Sequence, residues 1–284
     1  MSDLDVAAIV AAALPGHEPR SVAVNEDGWD SVVIDVDGEW IVRVARSEQV
    51  GRVYETEGRL LAALAPMLPV AVPAFTRVGP TFCVYRKLPG TRLDALGVGP
   101  ELGESLGGFL RALHAFPVER ATELGVGEAW EADGVDHLAA AVLPLLAGDE
   151  RRRGELLVEA YRDLRYEPTL VHADLGPEHI LCSDGRVTGV LDWSDAGVGD
   201  PALDLGWLLL HTPKPFAAAL ASAYGADDEL ATRAEVYERL FAWHEVAYGV
   251  RIGRPEWVES GLAGVRRRLP SAVRATGDPD TMAR

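Results

Sequence analysis

The sequence contains little cysteine. Cys83 and Cys182 are the two cysteines among 284 residues, too few for a disulfide framework or a multi-cysteine zinc site. Such usage is typical of proteins that stay in a reducing compartment. At this length the chain can bury a substantial core, either in one large domain or in two lobes.

Long apolar runs are also missing. The run from Val6 to Leu14 is far shorter than the ~20 apolar residues that a membrane helix needs. The first five residues, Met1 to Asp5, are acidic where a secretory signal would be basic. We therefore expect a cytoplasmic protein that does not contact a membrane.

Positive charge is in the minority. The chain has 27 Lys plus Arg against 44 Asp plus Glu, a net charge of −17. Proteins that bind nucleic acid present a basic face, so this balance argues against that class and favours cationic small-molecule partners. Hydrophobic residues make up 48% of the chain, which is typical of a folded globular protein rather than a disordered one.

The first part of the chain has the pattern of a small antiparallel sheet. Two β-rich runs, Ser31–Val36 and Trp40–Val44, flank Asp37-Gly38 and predict a hairpin. Apolar spacing and turn residues predict two helices and two further strands around it: Asp5–Leu14, Val53–Leu64, Phe75–Val78 and Thr81–Tyr85. These elements predict an α+β lobe over residues 1–87.

The rest of the chain is mostly helical in pattern. Leu88-Pro89-Gly90 is the expected connection between the two parts, and a strand-rich segment interrupts the helices over residues 170–192. Helical periodicity predicts seven helices, over Glu101–Phe116, Val135–Leu146, Glu150–Arg165, Ala202–His211, Lys214–Tyr224, Ala231–Val250 and Glu256–Leu269. We expect residues 88–284 to form a second, larger lobe.

The chemistry-bearing side chains are concentrated in the strand-rich segment. His172 and Asp174 lie in a loop that follows an apolar strand, and His179 directly precedes the next apolar pair, Ile180-Leu181. A turn at Ser183-Asp184-Gly185 then returns the chain to a run that ends at Asp192. Such a hairpin can bring Asp174, His179 and Asp192 to one edge, where two carboxylates and an imidazole suit a divalent metal beside a general base.

This segment resembles the aminoglycoside and macrolide phosphotransferases, antibiotic kinases of the protein-kinase-like superfamily. Their catalytic loop is H-x-D, followed five residues after the Asp by Asn or His, and a later strand ends in I/L-D-W/F. The run from Gly199 to Leu205 is similar to their G-D-P-x-x-D-L motif. The resemblance extends from Gly28 to Leu210 and implies a two-lobed kinase-like fold, with residues 1–87 as the nucleotide-binding lobe and residues 88–284 as the catalytic and substrate-binding lobe.

The resemblance also implies roles for individual residues. Asp174 is the expected catalytic base, and His179 and Asp192 are the expected ligands of a magnesium ion that bridges the phosphates of ATP or GTP. Arg43 would contact the phosphates, and Glu57 would orient it. The other nucleotide contacts are the phosphate-covering turn at Gly28 and Ser31 and the hinge backbone at Arg86 and Leu88.

Three positions depart from the commoner family pattern. Ala173 stands where Gly is usual, which requires a backbone that tolerates a Cβ. Arg43 replaces the usual Lys, and Arg46 is a second candidate for the phosphate contact. His179 replaces the commoner Asn with a softer ligand. The same histidine is typical of the aminoglycoside 2″-kinases and macrolide 2′-kinases, and so narrows the subfamily.

Simpler interpretations exist for several of these residues. Asp174 alone would be a turn-capping residue, and Glu57 alone a solvated helix residue. We expect His172 and His114 to be structural, and Asp200 and Asp204 to cap a helix and brace the loop rather than to act in chemistry.

Substrate contacts are the least determined part of the site. Asp195 lies three residues past the expected metal ligand, where the family's substrate contacts begin. Glu235 and Glu238 lie in the acidic helical region that corresponds to the aminoglycoside cleft, although a solvated face is the default interpretation of such charges. Phe241, Trp243 and Trp257 could instead supply the apolar cleft that a macrolide needs.

The sequence therefore predicts a kinase that transfers the γ-phosphoryl group of ATP or GTP, with magnesium, to a hydroxyl of an aminoglycoside-type cationic molecule. The alternatives are a macrolide 2′-kinase, a kinase of another cationic antibiotic or of a small metabolite such as choline or a sugar, and an inactive pseudokinase. We expect a monomer or weak dimer with no nucleic-acid partner.

Overall fold

A computed structural model gives the structure of residues 4–270, apart from residues 27, 29, 96 and 131–133. Within the described part of the first 87 residues, five antiparallel strands form one sheet: β1 (Val22–Asn25), β2 (Ser31–Val36), β3 (Trp40–Ala45), β4 (Phe75–Val78) and β5 (Phe82–Arg86). Their order in the sheet is β1-β2-β3-β5-β4. Helix α1 (Val6–Ala13) precedes the sheet, and α2 (Glu48–Leu64) connects β3 to β4.

The β2–β3 hairpin forms at the predicted Asp-Gly turn. Asp37 and Gly38 both have positive φ, 58° and 69°, the conformation that this dipeptide tolerates best. The hairpin makes β3 the central strand of the sheet, with Arg43 opposite Val33 on one side and Cys83 on the other. Arg43 is consequently buried in the middle of the sheet.

Helix α2 packs one face against this sheet. Ser47 caps the helix by accepting a hydrogen bond from the backbone N–H of Val50, so the helix begins at Glu48, five residues before the predicted start at Val53. The buried face consists of residues at helical spacing: Gly51, Tyr54, Glu57, Leu60, Leu61 and Leu64. Glu57 is the acidic member of an otherwise largely apolar face, so its carboxylate needs a cationic partner inside the fold.

The second part of the chain surrounds two small sheets with helices. Strands β6 (Thr91–Arg92), β8 (Ile180–Ser183) and β9 (Arg186–Val190) form one sheet, and β7 (Thr169–Val171) pairs with β10 (Gly197–Gly199). The helices are α3 (Pro100–His114), α4 (Val118–Glu123), α5 (Gly134–Val142), α6 (Gly148–Arg162), α7 (Gly206–Leu210), α8 (Lys214–Tyr224), α9 (Asp228–Ile252) and α10 (Pro255–Arg268). None of the helices in the described residues is long and apolar enough to cross a membrane.

Glycines let α3 and α8 lie side by side. A Cβ on Gly103 would come within 2.3 Å of the Phe216 carbonyl oxygen, and one on Gly107 within 2.5 Å of the Leu220 carbonyl oxygen. From the first contact to the second, the chain advances by four residues on α3 and by four residues on α8, so the two helices run in the same direction. Their last residues, His114 and Tyr224, consequently meet.

The sequence missed three short elements and misassigned two segments. Strands β6 and β10 and helix α4 are too short to show periodicity. The helix predicted over Ala202–His211 is a 3₁₀ turn at Pro201–Leu205 followed by α7, and the one predicted over Val135–Leu146 ends at Val142, before Pro144.

The predicted α+β fold is nevertheless confirmed, with an antiparallel sheet followed by mostly helical structure. The domain boundary at residue 87 stays a prediction.

Candidate active site

The expected catalytic residues lie on a loop and a hairpin that follow β7. The loop after Val171 carries His172 and Asp174 and ends in a 3₁₀ turn at Pro177–His179. The β8–β9 hairpin then reverses the chain at Asp184 and Gly185, which have φ of 51° and 73°. Leu191 N–H donates to the His179 carbonyl oxygen at 2.8 Å, so the end of β9 returns beside the loop.

Three side chains meet at this corner, as the sequence predicted. His179 Nδ1 lies 3.6 Å from Asp174 Oδ2, and His179 Nε2 lies 3.9 Å from Asp192 Oδ2. The Asp174 side chain is 54% exposed, so an acceptor molecule can reach it. The histidine lies between the two carboxylates.

His179 presents the ring nitrogen that a metal would need. Its Nδ1 lies 2.8 Å from the backbone oxygen of Asp174, and because a carbonyl oxygen can only accept, Nδ1 carries the hydrogen. In the neutral ring, the form that binds a metal, Nε2 then has the lone pair and faces Asp192 Oδ2. The 3.9 Å between the two atoms is less than twice the ~2.1 Å bond length of magnesium, so both can contact one cation.

The side chains of Asp174, His179 and Asp192 are not arranged to hold one metal ion by themselves, and no other group of three or more His, Cys, Asp or Glu side chains in the described ranges is. Magnesium in nucleotide sites is held by one or two protein ligands together with phosphate oxygens, so His179 and Asp192 fit that use.

Negative charge gathers around Asp174. Desolvation in the cleft and the nearby carboxylates of Asp195, Asp192 and Glu178 raise the pKa of Asp174 to about 7, against the lowering effect of His179. Burial would lower the pKa of His179, but Asp174 and Asp192 outweigh it and raise that pKa. The shift of His179 shows that the carboxylates of this corner stabilise a cation, whereas the shift of Asp174 comes first from desolvation.

Arg43 joins the central strand of the sheet to this corner. Its Nη1 donates to Glu57 Oε1 at 2.7 Å and its Nη2 to Asp192 Oδ1 at 2.8 Å. Burial alone would lower the pKa of Arg43, but the two carboxylates raise it well above its usual value. Burial alone would raise the pKa of Asp192, but Arg43, His179 and a hydrogen bond from Ser194 lower it. Arg43 therefore stays a cation, and Asp192 an anion.

The sequence missed two residues that support Arg43. Ser194 Oγ lies 3.0 Å from Asp192 Oδ1 and 3.4 Å from Arg43 Nη2, so it completes the contact between them. The Arg43 guanidinium lies 5.2 Å above the centre of the Tyr54 ring. Tyr54 precedes Glu57 by three positions on α2, and that spacing was the available signal; nothing in the sequence pointed to Ser194.

The loop backbone is held by buried polar residues. His172 is fully buried; its Nε2–H donates to the Leu191 carbonyl oxygen at 2.8 Å, which confirms its expected structural use. Asp204 accepts the backbone N–H groups of His172 and Ala173, both at 2.8 Å. Asp200 caps the turn at Pro201–Leu205 through Ala202 N–H. The expected capping and bracing uses of Asp200 and Asp204 are thus confirmed.

The turn that is expected to cover the phosphates lies partly outside the described residues, because residues 27 and 29 are among those omitted. Gly28 belongs in a tight bend, since a Cβ there would come within 2.6 Å of the Ser31 carbonyl oxygen. Arg46 donates to the carbonyl oxygens of Gly28 and Glu26. Of the two arginine candidates, the structure brings Arg43 to Glu57 and Asp192, while Arg46 holds the turn.

At the expected hinge, the backbone groups of Arg86 point away from β3. Lys87 N–H donates to the Glu39 carbonyl oxygen at 2.9 Å, which makes these two residues a hydrogen-bonded pair. The neighbouring residues Trp40 and Arg86 therefore form a non-hydrogen-bonded pair, in which the backbone N–H and C=O of Arg86 point away from β3. Leu88, two residues further on, is partly buried.

The three expected substrate residues lie in different settings. Asp195 is exposed beside the corner, where desolvation and the carboxylates of Asp192 and Asp30 raise its pKa to about 6. Glu235 is half exposed and pairs with Arg239 on its own helix. Glu238 is buried and already bonded by His211 and Arg268. The structure thus places Asp195 at the corner and gives Glu238 two protein partners.

Comparison with known proteins places the chain in one family. A sequence model of the phosphotransferase enzyme family (APH) matches residues 21–243. Viomycin phosphotransferase of Streptomyces vinaceus is 29% identical over 91% of this chain and 97% of the relative.

Solved structures agree with the sequence comparison. The GDP and kanamycin complex of APH(2″)-IIia has a TM-score of 0.81 at 26% identity, over 92% of this chain and 97% of that one. The apoenzyme of macrolide 2′-phosphotransferase MphH from Brachybacterium faecium has a TM-score of 0.74 at 27% identity, over 94% of this chain and 98% of that one. The predicted resemblance is confirmed: the chain belongs to the phosphotransferase enzyme family and is a phosphotransferase.

Proposed function

We propose that the protein transfers the γ-phosphoryl group of ATP or GTP to a hydroxyl group of a cationic antibiotic, with aminoglycosides as the first candidates. The observation that carries this proposal is the corner formed by Asp174, His179 and Asp192. A solvent-exposed carboxylate lies there beside two side chains suited to a cation.

Each residue has a defined use in this reaction. Asp174 accepts the proton of the attacking hydroxyl, because its carboxylate is exposed and is fixed by the braced loop. His179 Nε2 and Asp192 Oδ2 would hold magnesium, which would neutralise phosphate charge. Arg43 stays a buried cation beside Asp192 and faces the nucleotide phosphates together with the turn at Gly28. The backbone N–H and C=O of Arg86, which point away from β3, bind the base.

The charge of the cleft supports a cationic acceptor. Asp195 and Glu178 lie close enough to Asp174 to raise its pKa, and neither is paired with a lysine or arginine in the described residues. A carboxylate-lined entrance concentrates ammonium groups near the base. The kanamycin complex and viomycin phosphotransferase among the similar proteins support the same class.

A macrolide remains the second candidate, supported by the similarity to macrolide 2′-phosphotransferase MphH. The apolar cleft expected for it is reduced, however. Trp243 is fully buried in the core, and Phe241 and Trp257 are partly buried against Trp130 and Tyr248. Of these three side chains, Trp243 cannot reach a substrate.

The test is a panel assay with both nucleotides. Purified protein is incubated with magnesium, ATP or GTP, and single antibiotics including kanamycin, viomycin and a macrolide, and products are read by their mass shift. We expect a gain of one phosphate on a cationic compound. Phosphorylation of the macrolide alone would replace the proposed acceptor class, and no transfer to any member would favour a small-metabolite kinase or the pseudokinase alternative.

A further inference from the structure

The two oxygens of the Asp192 carboxylate have different partners. Ser194 Oγ lies 3.0 Å from Oδ1, and because a carboxylate oxygen only accepts, the serine hydroxyl is the donor. Arg43 Nη2 donates to the same oxygen at 2.8 Å. Two donors thus end on Oδ1, whereas Oδ2 lies 3.9 Å from His179 Nε2, on the side where a cation would bind.

The Ser194 hydroxyl is engaged on both of its sides. Its hydrogen points to Asp192, and its oxygen lies 3.4 Å from Arg43 Nη2, which can donate to it. A cation that approached this oxygen would have to displace the guanidinium. Ser194 is therefore a partner of the carboxylate rather than a further metal ligand.

The neighbouring Trp193 fixes the backbone from which this serine reaches Asp192. Trp193 is 1% exposed, and its Nε1–H donates to the Val190 carbonyl oxygen at 3.0 Å. Its ring centre lies 4.8 Å from that of the buried His172. The main chain at Ser194 is thus held on one side by a packed indole ring, and the serine hydroxyl needs only a side-chain rotation to meet the carboxylate.

The Asp192 side chain needs such a partner because its own torsions leave its direction open. Asp192 has a φ of +57°, in the left-handed region, which sets where its Cβ points. Rotation of the carboxylate about its last bond has a broad, roughly two-fold preference, so outside contacts decide which oxygen faces the cation. Arg43 is shared with Glu57, whereas Ser194 belongs to the same loop as Asp192 and moves with it.

We propose that Ser194 is a positioning residue for Asp192: its hydroxyl holds Oδ1 and thereby turns Oδ2 toward His179 Nε2, so that both atoms can contact one divalent cation. This inference rests on the proposed function for the use of that cation. It assigns a use in metal binding to a serine that is not itself a ligand.

The first test measures metal binding without turnover. Manganese is the probe, because the electron paramagnetic resonance signal of free Mn²⁺ gives the bound fraction, and non-hydrolysable analogues of ATP and GTP supply the phosphates. In Ser194→Ala we expect the dissociation constant for Mn²⁺ to rise about 10-fold, the usual effect of losing a hydrogen bond to a ligand. Ser194→Thr keeps the hydroxyl and should stay within about 3-fold of the wild type.

Ser183→Ala is the matched control. Ser183 Oγ donates to Asp184 Oδ2, also at 3.0 Å, at the turn of the β8–β9 hairpin. This variant loses a serine–aspartate hydrogen bond of the same length outside the corner. Its dissociation constant for Mn²⁺ should stay within about 2-fold of the wild-type value.

The second test separates positioning from general support of the fold. In Ser194→Ala the Mg²⁺ concentration for half-maximal activity should rise about 10-fold, while kcat at saturating Mg²⁺ stays within about 3-fold of the wild type, because excess metal compensates for a weakened site. A serine that only supported the fold would lower the melting temperature and would lower kcat at every Mg²⁺ concentration. An unchanged half-saturation concentration would therefore overturn the positioning role.

The binding readout distinguishes failure of this proposal from failure of the proposed function. Equal Mn²⁺ affinity of the wild type and Ser194→Ala overturns the positioning role, even in a protein that phosphorylates an antibiotic. A wild type that binds Mn²⁺ with a nucleotide analogue but phosphorylates nothing overturns the proposed function, and the comparison with Ser194→Ala still decides the use of the serine. A wild type that binds no Mn²⁺ with either analogue overturns both.

Discussion

Arg43 Nη2 donates to Asp192 Oδ1 at 2.8 Å, across a sequence separation of 149 residues. The same guanidinium donates through Nη1 to Glu57 on α2. One planar side chain thus holds the sheet, the helix behind it and the end of β9 together. The ammonium group of a lysine is a point charge without this fork, which gives a physical reason for arginine at this position.

Loss of this cation is expected to destabilise the fold. Arg43→Met should lower the free energy of unfolding by about 3 kcal/mol or more, because Glu57 is left buried without its partner. Urea unfolding followed by circular dichroism measures the change. Adding Glu57→Gln should recover part of the loss by removing the stranded charge, and Arg46→Met, which affects an exposed turn, should cost less than about 1 kcal/mol. A single Arg43→Met variant as stable as the wild type would contradict the pairing.

Removal of the proposed base should separate chemistry from binding. We expect Asp174→Asn to lower kcat by about 10²- to 10⁴-fold while the dissociation constant for nucleotide stays within about 2-fold. Steady-state kinetics and calorimetric titration with the nucleotide measure the two quantities. Glu178→Gln, an exposed carboxylate in the same loop, is the matched control and should retain most of kcat. An active Asp174→Asn enzyme would show that another group takes the proton.

Replacement of the His179 imidazole should change the preference of the enzyme for manganese over magnesium. Nitrogen ligands favour manganese over magnesium more than oxygen ligands do. The ratio of kcat/KM in Mn²⁺ to that in Mg²⁺ should therefore fall by about 3-fold or more in His179→Asn, because the amide offers an oxygen instead. The same ratio measured for Glu178→Gln should match the wild type. If His179→Asn left it unchanged, His179 would not be a ligand.

One histidine outside the site should make stability depend on pH. Burial and the charge of His137 lower the pKa of His244 to about 4, and its Nε2 is buried without a hydrogen-bond partner in the described structure. Because the unfolded chain takes up this proton near pH 6.5 and the folded protein does not, stability is fully present above pH 6.5 and is lost as the pH falls toward 4.

At pH 5 this loss amounts to about 2 kcal/mol. We expect the difference in unfolding free energy between the wild type and His244→Gln to shift by about that amount, in favour of the variant, between pH 8 and pH 5. Urea titrations at the two pH values measure it, and pH effects of other groups cancel in the difference. Parallel pH dependence of the two proteins would mean that His244 titrates normally in the fold.

The catalytic hairpin could be inferred from the sequence because its determinants are local. Residues 172–192 contain two short apolar runs and the Asp184-Gly185 turn, whose positive φ at both positions favours pairing of Ser183 with Arg186. The sequence did not show the irregularity beside Leu181, which shifts the pairing by one residue so that Leu191 N–H reaches the His179 carbonyl oxygen and Asp192 follows. The Asp37-Gly38 hairpin was equally predictable and made β3 the central strand.

Other features depend on packing between distant segments. Burial of Glu57 distinguishes Arg43 from Arg46, because Arg43 is the cation that pairs with the buried carboxylate. A solvated face was the default interpretation of Glu238, yet the approach of α10 buries it against Arg268. The contact of His114 with Tyr224 exists because glycines on α3 let α8 approach closely. A single sequence shows the local preferences of turns and of periodic faces. Packing of the helices and sheets decides which polar groups lose their contact with water, and those groups then need partners inside the fold.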